Sequence, residues 1–405
     1  MNENDDFGGG DFGSTGSAGD FSGGPEVSYQ SWFSRIASAF GGMVLGLVLF
    51  VIAFPVLFWN EGRAVHRAQD LDEGQKGAET TEVQTVDPAR EGKLVFASGT
   101  ATTSESLRDA IFGVTTKDSL WLKRSVEMYQ WKETEHTEKK KNLGGGETTT
   151  KSYTYDKTWS SSLIDSTQFH QPQGHQNPRQ FPCPATEYVA AVIQLGAFQV
   201  PENLKSSLHD FKPLEVTSEQ IEGLAEDQAT KWRVSKGQFY SGQDADNPAV
   251  GDTRVHFQHV PSGPCGLVGV QTGASFAPFT TRNGAQLFEL RSGQTTKDDF
   301  FRRLNADNNL MTWILRLVGF GLMYFGLMLL FRPMSVLADI VPFFGTLVGY
   351  GTGLLAFLLA LPMSLTTIAI GWIVYRPMLG IGLLVVSVGL IVILGRGISR
   401  ARTAQ

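Results

Sequence analysis

The chain has 405 residues, a formal net charge of −6 and two cysteines, Cys183 and Cys265. The mild acidity argues against nucleic acid as a partner, because no basic face dominates the chain. Two cysteines exclude a disulfide-dense scaffold and a zinc site made of cysteines, and they leave open either one disulfide between them or two free thiols.

Residues 1–36 are predicted to be a disordered tail. Gly, Ser and Asp dominate this segment, and no apolar periodicity runs through it, so it cannot bury enough surface to fold. A repeated Asp-Phe unit raises the alternative of a docking motif, but a plain disordered tail is favoured.

An apolar run at residues 37–59 predicts the first transmembrane helix. As a helix it is about 35 Å long, which is enough to cross the hydrocarbon core. Ser38, Gly42 and Gly46 recur every four residues and give one face that suits close helix contact. Pro55 is expected to bend the helix near its end.

The polar stretch 60–308 is predicted to be one water-soluble α+β domain dominated by antiparallel sheet. Alternating apolar residues at 120–131 and 153–159 predict two long strands, with 139–150 as the loop of their hairpin. Further strands are expected at 231–240, 253–260, 266–273 and 285–290, and helices at 104–111, 218–228 and 297–304.

Residues 309–395 are predicted to form a membrane block of three helices, which makes four spans in all. The first of these helices is expected at 311–331, the second at 345–375 and the third at 378–395. A basic tail, residues 396–405, follows the last span.

The segment 334–344 is too short and too interrupted to span the membrane, because it contains Asp339 and Pro342. It is interpreted as an interfacial or re-entrant piece. The next helix carries a second set of small residues at four-residue spacing, which are Gly345, Gly349 and Gly353. The glycine faces are predicted to serve either packing inside the bundle or contact between subunits.

Two polar positions near helix ends each have two interpretations. Arg316 either snorkels to the lipid headgroups, which is favoured, or pairs with a polar group inside the bundle. Asn60 and Glu61 either hydrogen-bond the soluble domain or lie at a solvated helix end.

Several short motifs follow one another from residue 59 to the end of the chain. Their residues are Asn60, Glu61, Gly62 and Arg63; Gly174, His175, Asn177 and Pro178; Gly251, Asp252 and Arg254; Trp313 and Arg316; and Arg376 and Pro377. In order and spacing these motifs resemble the LUMA family, which is also called the transmembrane protein 43 family.

The resemblance implies residence in the endoplasmic reticulum and inner nuclear membrane if the source is eukaryotic, or in the cytoplasmic membrane if it is bacterial. It also implies self-association, a part in organising the nuclear envelope, and a large domain on the lumenal or periplasmic side. Arginines flank the domain as well as the C-terminus, so charge alone does not decide the orientation.

The sequence therefore favours a non-enzymatic integral membrane scaffold that self-associates and organises membrane protein complexes. A transporter or channel component is the alternative. The expected partners are the lipid bilayer, further copies of the chain and other membrane or extracytoplasmic proteins, with no nucleic acid and no cofactor. His170 with His175, and His256 with His259, are the best metal-ligand candidates, but neither pair has a third ligand at a recognised spacing.

Overall fold

The computed structural model describes residues 24–222, 231–293 and 296–377. Most of the predicted tail, the predicted fourth span at 378–395 and the basic tail at 396–405 lie outside these residues. The predicted helix at 218–228 lies only partly within them.

Five helices and nineteen strands make up the regular structure of the described residues. The helices are α1 Trp32–Gly77, α2 Glu202–Lys205, α3 Glu219–Glu222, α4 Lys297–Ala338 and α5 Pro342–Tyr375, with 3-10 turns at Pro88–Arg90 and Ser166–Gln168. The strands are β1 Glu26–Gln30, β2 Glu79–Thr81, β3 Leu94–Thr102, β4 Leu107–Arg108, β5 Thr115–Thr116, β6 Ser119–Lys141, β7 Glu147–Ser160, β8 Thr186–Val189, β9 Gln194–Leu195, β10 Phe198–Gln199, β11 Lys212–Leu214, β12 Arg233–Ser235, β13 Gln238–Ser241, β14 Thr253–Pro261, β15 Gly263–Thr272, β16 Ser275–Ala277, β17 Phe279–Thr280, β18 Gln286–Leu287 and β19 Glu289–Ser292.

Two largely antiparallel sheets form the soluble domain, as predicted. The first has the order β1-β7-β6-β14-β13-β12, with β8 beside β6 and β11 beside β14. The second has the order β10-β9-β3-β15-β16, with β19 beside β15 and β2 parallel to β3. Leu120, Leu122, Val126 and Met128 alternate along β6 and are all buried, because successive strand residues point to opposite faces.

The helices α1 and α4 run without interruption from the domain into the apolar bundle. Their domain ends pack on the second sheet, where Leu71 of α1 and Phe300 and Phe301 of α4 share a core with Phe96 of β3. The predicted boundaries near residues 60 and 308 therefore fall inside continuous helices. Apolar periodicity locates a span but does not show where its helix ends. A helix can continue beyond the bilayer, where its apolar face packs against a sheet instead of lipid.

Three helices in the described part of the chain are long and apolar enough to cross a membrane, namely α1, α4 and α5. Of the four predicted spans, three therefore lie within these residues, and the fourth, at 378–395, lies outside them. The interfacial or re-entrant piece predicted at 334–344 is not a separate element, because α4 continues past Pro333 to Ala338 and α5 begins at Pro342. Proline is favourable in the first helical turn, where its missing N–H has no helical partner.

The folded chain also begins earlier than the sequence predicts. β1 lies within the segment 1–36 that was expected to be disordered, and it pairs with the start of β7 from Glu26 to Gln30. Strand pairing gives this short polar segment hydrogen-bond partners that its own composition does not supply. The partner strand lies more than a hundred residues away, so local composition could not reveal the pairing.

Both predicted small-residue faces contact neighbouring helices of the same chain. A Cβ atom on Gly46 would lie 2.7 Å from the carbonyl oxygen of Gly326, so α1 and α4 meet there backbone to backbone. A Cβ atom on Gly349 would lie 3.3 Å from Oγ of Ser335, also on α4. Of the remaining small residues, Gly345 is buried against the α4–α5 connection, Gly42 and Gly353 have looser contacts, and Ser38 is exposed.

Candidate functional site

Glu61 lies at the centre of a polar cluster that joins the three long helices, which we call the helix junction (Glu61, Arg63, Thr312, Arg316 and Trp372). Its carboxylate is 2% exposed and accepts two hydrogen bonds from Arg316 of α4, at 2.7 and 2.8 Å. The indole N–H of Trp372 on α5 donates a third, at 2.8 Å. Both carboxylate oxygens are thereby held by groups from two other helices.

The junction decides between the interpretations of Arg316. Its guanidinium makes a bidentate pair with Glu61 and lies 4.9 Å from the ring centre of Trp313 and 5.6 Å from that of Trp372. The favoured prediction, snorkelling to the headgroups, is wrong, and the pairing alternative is correct. Charged side chains within spans need polar partners, and the bidentate pair with Glu61 supplies one inside the bundle.

A second layer of hydrogen bonds lies on the domain side of the Glu61 pair. Arg63 of α1 donates to the side chains of Asn308 and Thr312 on α4, each at 3.0 Å. Asn60 donates to the backbone oxygen of Thr312 at 3.0 Å, and Asn308 donates to the backbone oxygen of Ala64 at 2.9 Å. Asn60 and Glu61 are therefore bonded to another span, and neither predicted alternative, domain contact or a solvated end, describes them.

Two glycines allow the helices to approach at the junction. A Cβ atom on Gly371 would lie 3.0 Å from the Cβ atom of Glu61, and one on Gly62 would lie 2.6 Å from the ring of Tyr375. Arg376 and Pro377 follow directly and are exposed. The junction thus depends on small residues as much as on charged ones, because the ion pair forms only if the backbones come close.

β6 and β7 leave the domain as a two-stranded ribbon, residues 129–159. A second polar cluster lies where the ribbon leaves the domain, which we call the ribbon base. The side chain of Asn177 accepts from the backbone N–H of Trp131 at 2.7 Å and donates to its carbonyl oxygen at 2.8 Å. An asparagine side chain thereby imitates a neighbouring strand for one residue. Next to it, Pro178 lies against Gly251.

Asp252 closes the other side of the ribbon base. Its carboxylate accepts from the hydroxyl of Tyr240 at 2.5 Å and from the backbone N–H of Ala249 at 2.9 Å. Burial and this carboxylate raise the pKa of the Tyr240 hydroxyl above its usual range. Arg254 pairs with Glu127 across the two strands at 2.7 Å. These contacts fix the position from which the ribbon leaves the sheet.

The ribbon ends at a third polar cluster, which we call the tip cluster (Arg35, Lys141, Glu147 and Asp339). Asp339, between α4 and α5, is 1% exposed and lies 2.5 Å from Arg35 and 2.7 Å from Lys141. Arg35 also lies 3.3 Å from Glu147 and donates to the carbonyl oxygen of Gly145. The hairpin turn is therefore bonded to the ends of the spans that lie farthest from the domain.

Backbone contacts complete this attachment of the tip. The backbone N–H of Gly144 donates to the carbonyl oxygen of Ile340 at 3.0 Å, and the indole N–H of Trp32 donates to Val336 at 3.0 Å. Gly144 and Gly145 have φ of 85° and 81°, a backbone region that favours glycine. The turn is shorter than the predicted loop at 139–150, because strand pairing extends to Lys141 and Glu147.

Comparison with known proteins assigns the family. A family model described as Transmembrane protein 43 matches residues 128–377. The Transmembrane protein 43 of Rattus norvegicus is 34% identical over 86% of this chain and 88% of its own. That of Homo sapiens is 33% identical over 87% and 88%, and the Drosophila melanogaster homolog is 32% identical over 84% and 90%. The chain belongs to the transmembrane protein 43 family. No solved structure matches it.

The motifs that carried the family resemblance fall into two of these clusters. Asn60, Glu61, Gly62, Arg63, Trp313 and Arg316 lie at or beside the helix junction. Asn177, Pro178, Gly251, Asp252 and Arg254 lie at the ribbon base. Gly174 and His175 form the adjacent turn, where the backbone N–H of His175 donates to Pro172. In this family member, residues that are distant in sequence thus come together at both places.

Two of the four histidines singled out as metal-ligand candidates stack on tyrosines in this transmembrane protein 43 family member. His170 stacks on Tyr153 with ring centres 4.2 Å apart, and His175 stacks on Tyr155 at 3.8 Å. His256 and His259 are three residues apart on β14, so their side chains point to opposite faces of the strand. The side chains of His256 and His259 therefore do not converge on a common point.

Cys183 and Cys265 are both buried in the core between the two sheets, and the structure shows them as free thiols. The candidate disulfide is not formed in it, and the two-free-thiol alternative describes both residues. Burial in apolar surroundings raises the pKa of the Cys183 thiol to about 11 and that of Cys265 to about 12. Such thiols stay protonated and behave as small apolar side chains.

Sequence reasoning missed Arg35, Lys141 and Glu147 of the tip cluster. Arg35 lies two residues before the apolar run and resembles an ordinary flanking charge, while Lys141 belongs to a run of lysines in a polar hairpin. The one available signal was Asp339, an acidic residue in an otherwise apolar stretch. A buried acid there requires a cationic partner, but its identity depends on the fold.

Proposed function

We propose that this chain is a non-enzymatic integral membrane scaffold that self-associates and organises membrane protein complexes. The observation that carries the proposal is the rigid connection between domain and membrane. α1 and α4 each pass from the sheet into the bundle as one helix, and the helix junction ties both to α5. A domain held in this way presents its surface at a fixed height and angle above the bilayer.

The polar clusters support a structural role for their charged residues. Both oxygens of Glu61 accept bonds from protein donors, and both oxygens of Asp339 face cations of the same chain. A carboxylate that acts as a general base needs an oxygen directed at a substrate proton. These acids instead use their oxygens to hold helices together.

We place the protein in the cytoplasmic membrane if its source is bacterial, and in the endoplasmic reticulum and inner nuclear membrane if it is eukaryotic. The domain is proposed to lie on the lumenal or periplasmic side. The support for this placement is membership of the transmembrane protein 43 family and the three apolar helices.

Self-association is tested by counting chains in lipid nanodiscs. The protein is inserted at low concentration into nanodiscs large enough for several copies, and single-particle mass is measured by mass photometry. Particles with more than one chain at protein concentrations where empty discs predominate support the proposal, whereas a single chain per disc contradicts it. Gly41→Leu and Gly351→Leu are informative variants, since a Cβ atom at either position meets nothing within 4 Å among the described residues. A drop in mass for either variant would locate a subunit contact on that helix face.

A further inference from the structure

The ribbon and the apolar bundle have similar lengths and are joined at both ends. β6 and β7 pair from Met128–Ser160 to Lys141–Glu147, a distance of about 43 Å at strand spacing. Between the levels of Glu61 and Arg35, α1 rises by about 39 Å. The ribbon base is fixed to the domain, and its tip is bonded to Arg35 and Asp339 at the far end of the spans. The ribbon therefore runs beside the bundle over its full height.

The ribbon is polar and charged along this whole path. Its exposed residues include Glu135, His136, Thr137, Glu138, Lys139 and Lys140 on β6, and Ser152, Thr154, Asp156 and Lys157 on β7. Beyond Trp131, whose backbone bonds to Asn177, β6 has β7 as its only strand partner within the described chain, so its outer backbone groups there face outward. An unpaired strand edge and clustered charges both require water or a polar partner.

The neighbouring helices require the opposite environment at the same height. Val44 on α1 is 62% exposed, and Leu354 on α5 is 61% exposed. Such a surface belongs against hydrocarbon, which in turn excludes open sheet edges and unpaired charges. Lipid cannot surround the bundle and the ribbon alike.

We propose that the ribbon lies in a water-filled compartment that further copies of this chain close off from lipid. The outward faces of the bundles then contact lipid, and the ribbons of several copies face one another inside the assembly. The three described spans lie on one side of the ribbon and do not enclose it, so the described part of one chain leaves the compartment open. This inference rests on the self-association proposed above and gives that assembly a polar interior.

The ribbon itself favours a second copy as the occupant of its open side. Apart from the ion pairs that it makes within its own chain, it exposes Glu138 and Lys140 on β6 near the tip. Both signs of charge therefore lie on one strand, and two ribbons can complement each other. Edge lysines oppose direct strand-to-strand pairing, so the ribbons line a hydrated space and do not merge into one sheet.

Water access is tested with single cysteines in a background where Cys183 and Cys265 are both alanine. Thr154→Cys places a thiol halfway along the ribbon, and Val44→Cys places one on the lipid-facing side of α1. Gln243→Cys, in an exposed domain turn, is the aqueous reference. A charged, membrane-impermeant thiol reagent is applied to the protein in nanodiscs, and the number of chains per disc is measured on the same sample.

We expect multi-chain discs in which Thr154→Cys reacts within about tenfold of the Gln243→Cys rate, and Val44→Cys reacts at least about 100-fold more slowly, because the reactive thiolate does not form in hydrocarbon. Multi-chain discs in which Thr154→Cys is as protected as Val44→Cys overturn the water-filled compartment and leave the scaffold proposal standing. Single-chain discs overturn the self-association itself, and closure by further copies with it.

Discussion

Arg35 and Asp339 are separated by 304 residues in the sequence, and their side chains lie 2.5 Å apart. The pair connects the start of α1 to the turn between α4 and α5, and Lys141 brings the ribbon tip to the same carboxylate. Asp339 is 1% exposed, and both of its carboxylate oxygens face these cations.

Neutralising this acid should release the ribbon tip. Asp339→Asn leaves Arg35 buried without its closest counter-charge, and removing one partner of a buried pair typically costs about 3–5 kcal/mol. We expect faster hydrogen exchange of the backbone amides at residues 142–146, measured by mass spectrometry in nanodiscs. Glu138→Gln removes an exposed charge on β6, next to the turn, and is the control. It should leave the exchange of residues 142–146 unchanged. If these amides exchange as slowly in the Asp339→Asn protein as in the parent, the tip is not held by Asp339.

The helix junction should show strong coupling between its two charges. Glu61→Gln and Arg316→Gln should each lower the free energy of unfolding by about 3–5 kcal/mol, because each leaves one buried charge alone. The double variant should lose less than the sum of the two single losses, since it leaves no unpaired charge. Unfolding can be followed by steric trapping in bicelles. Asp246→Asn, which breaks an exposed pair with Lys236, should change stability by less than about 1 kcal/mol; additive losses at the junction would argue against the pair.

Gly46 should tolerate no larger residue, whereas Gly41 should. Gly46→Leu forces α1 away from Gly326, and overpacking of a well-packed site costs about 1–3 kcal/mol or more. Gly41 is on the same helix, and a Cβ atom there would have nothing within 4 Å in the part of the chain that the structure describes. Thermal unfolding in one detergent should show a lower midpoint for Gly46→Leu than for Gly41→Leu. Equal midpoints would mean that α1 and α4 do not approach each other closely at Gly46.

Cys183 and Cys265 should be unreactive in the folded protein. Their pKa values are raised by burial to about 11 and about 12, so thiolate is scarce near pH 8. We expect no labelling by a thiol reagent under native conditions and labelling of both after unfolding, read by intact mass. Labelling without reducing agent distinguishes free thiols from a disulfide, because a disulfide would block the reaction even in the unfolded chain.

Two histidines should make the soluble domain less stable in acid. Burial lowers the pKa of His256 and of His259 in the folded state, with desolvation as the first cause for both. The unfolded chain therefore binds more protons just below the usual histidine pKa, so stability falls as pH decreases through that value and levels off below the folded pKa.

This acid sensitivity is measured by replacing both histidines. The His256→Gln, His259→Gln variant should lose less thermal stability between pH 7.5 and pH 5.5 than the parent, while His136→Gln, at an exposed ribbon position, should follow the parent. If the double variant also follows the parent, neither histidine contributes to the pH dependence.

The sequence by itself determined the membrane class and the character of the domain. Apolar length alone identified the spans that α1, α4 and α5 contain, because about 20 apolar residues are needed to cross the bilayer. Alternation along 120–131 predicted β6 and its buried face, since the strand repeat is two residues. Both signals are local, so no knowledge of the fold was required to interpret them.

Only the tertiary structure decided which polar residues meet. The partner of Glu61 lies 255 residues away, that of Asp339 lies 304 residues away, and β1 pairs with β7 across more than a hundred residues. A local pattern shows that a buried charge needs a partner, because desolvation is costly, but it does not say which one. That choice is made by the packing of whole helices and strands, which brings distant segments together at one height.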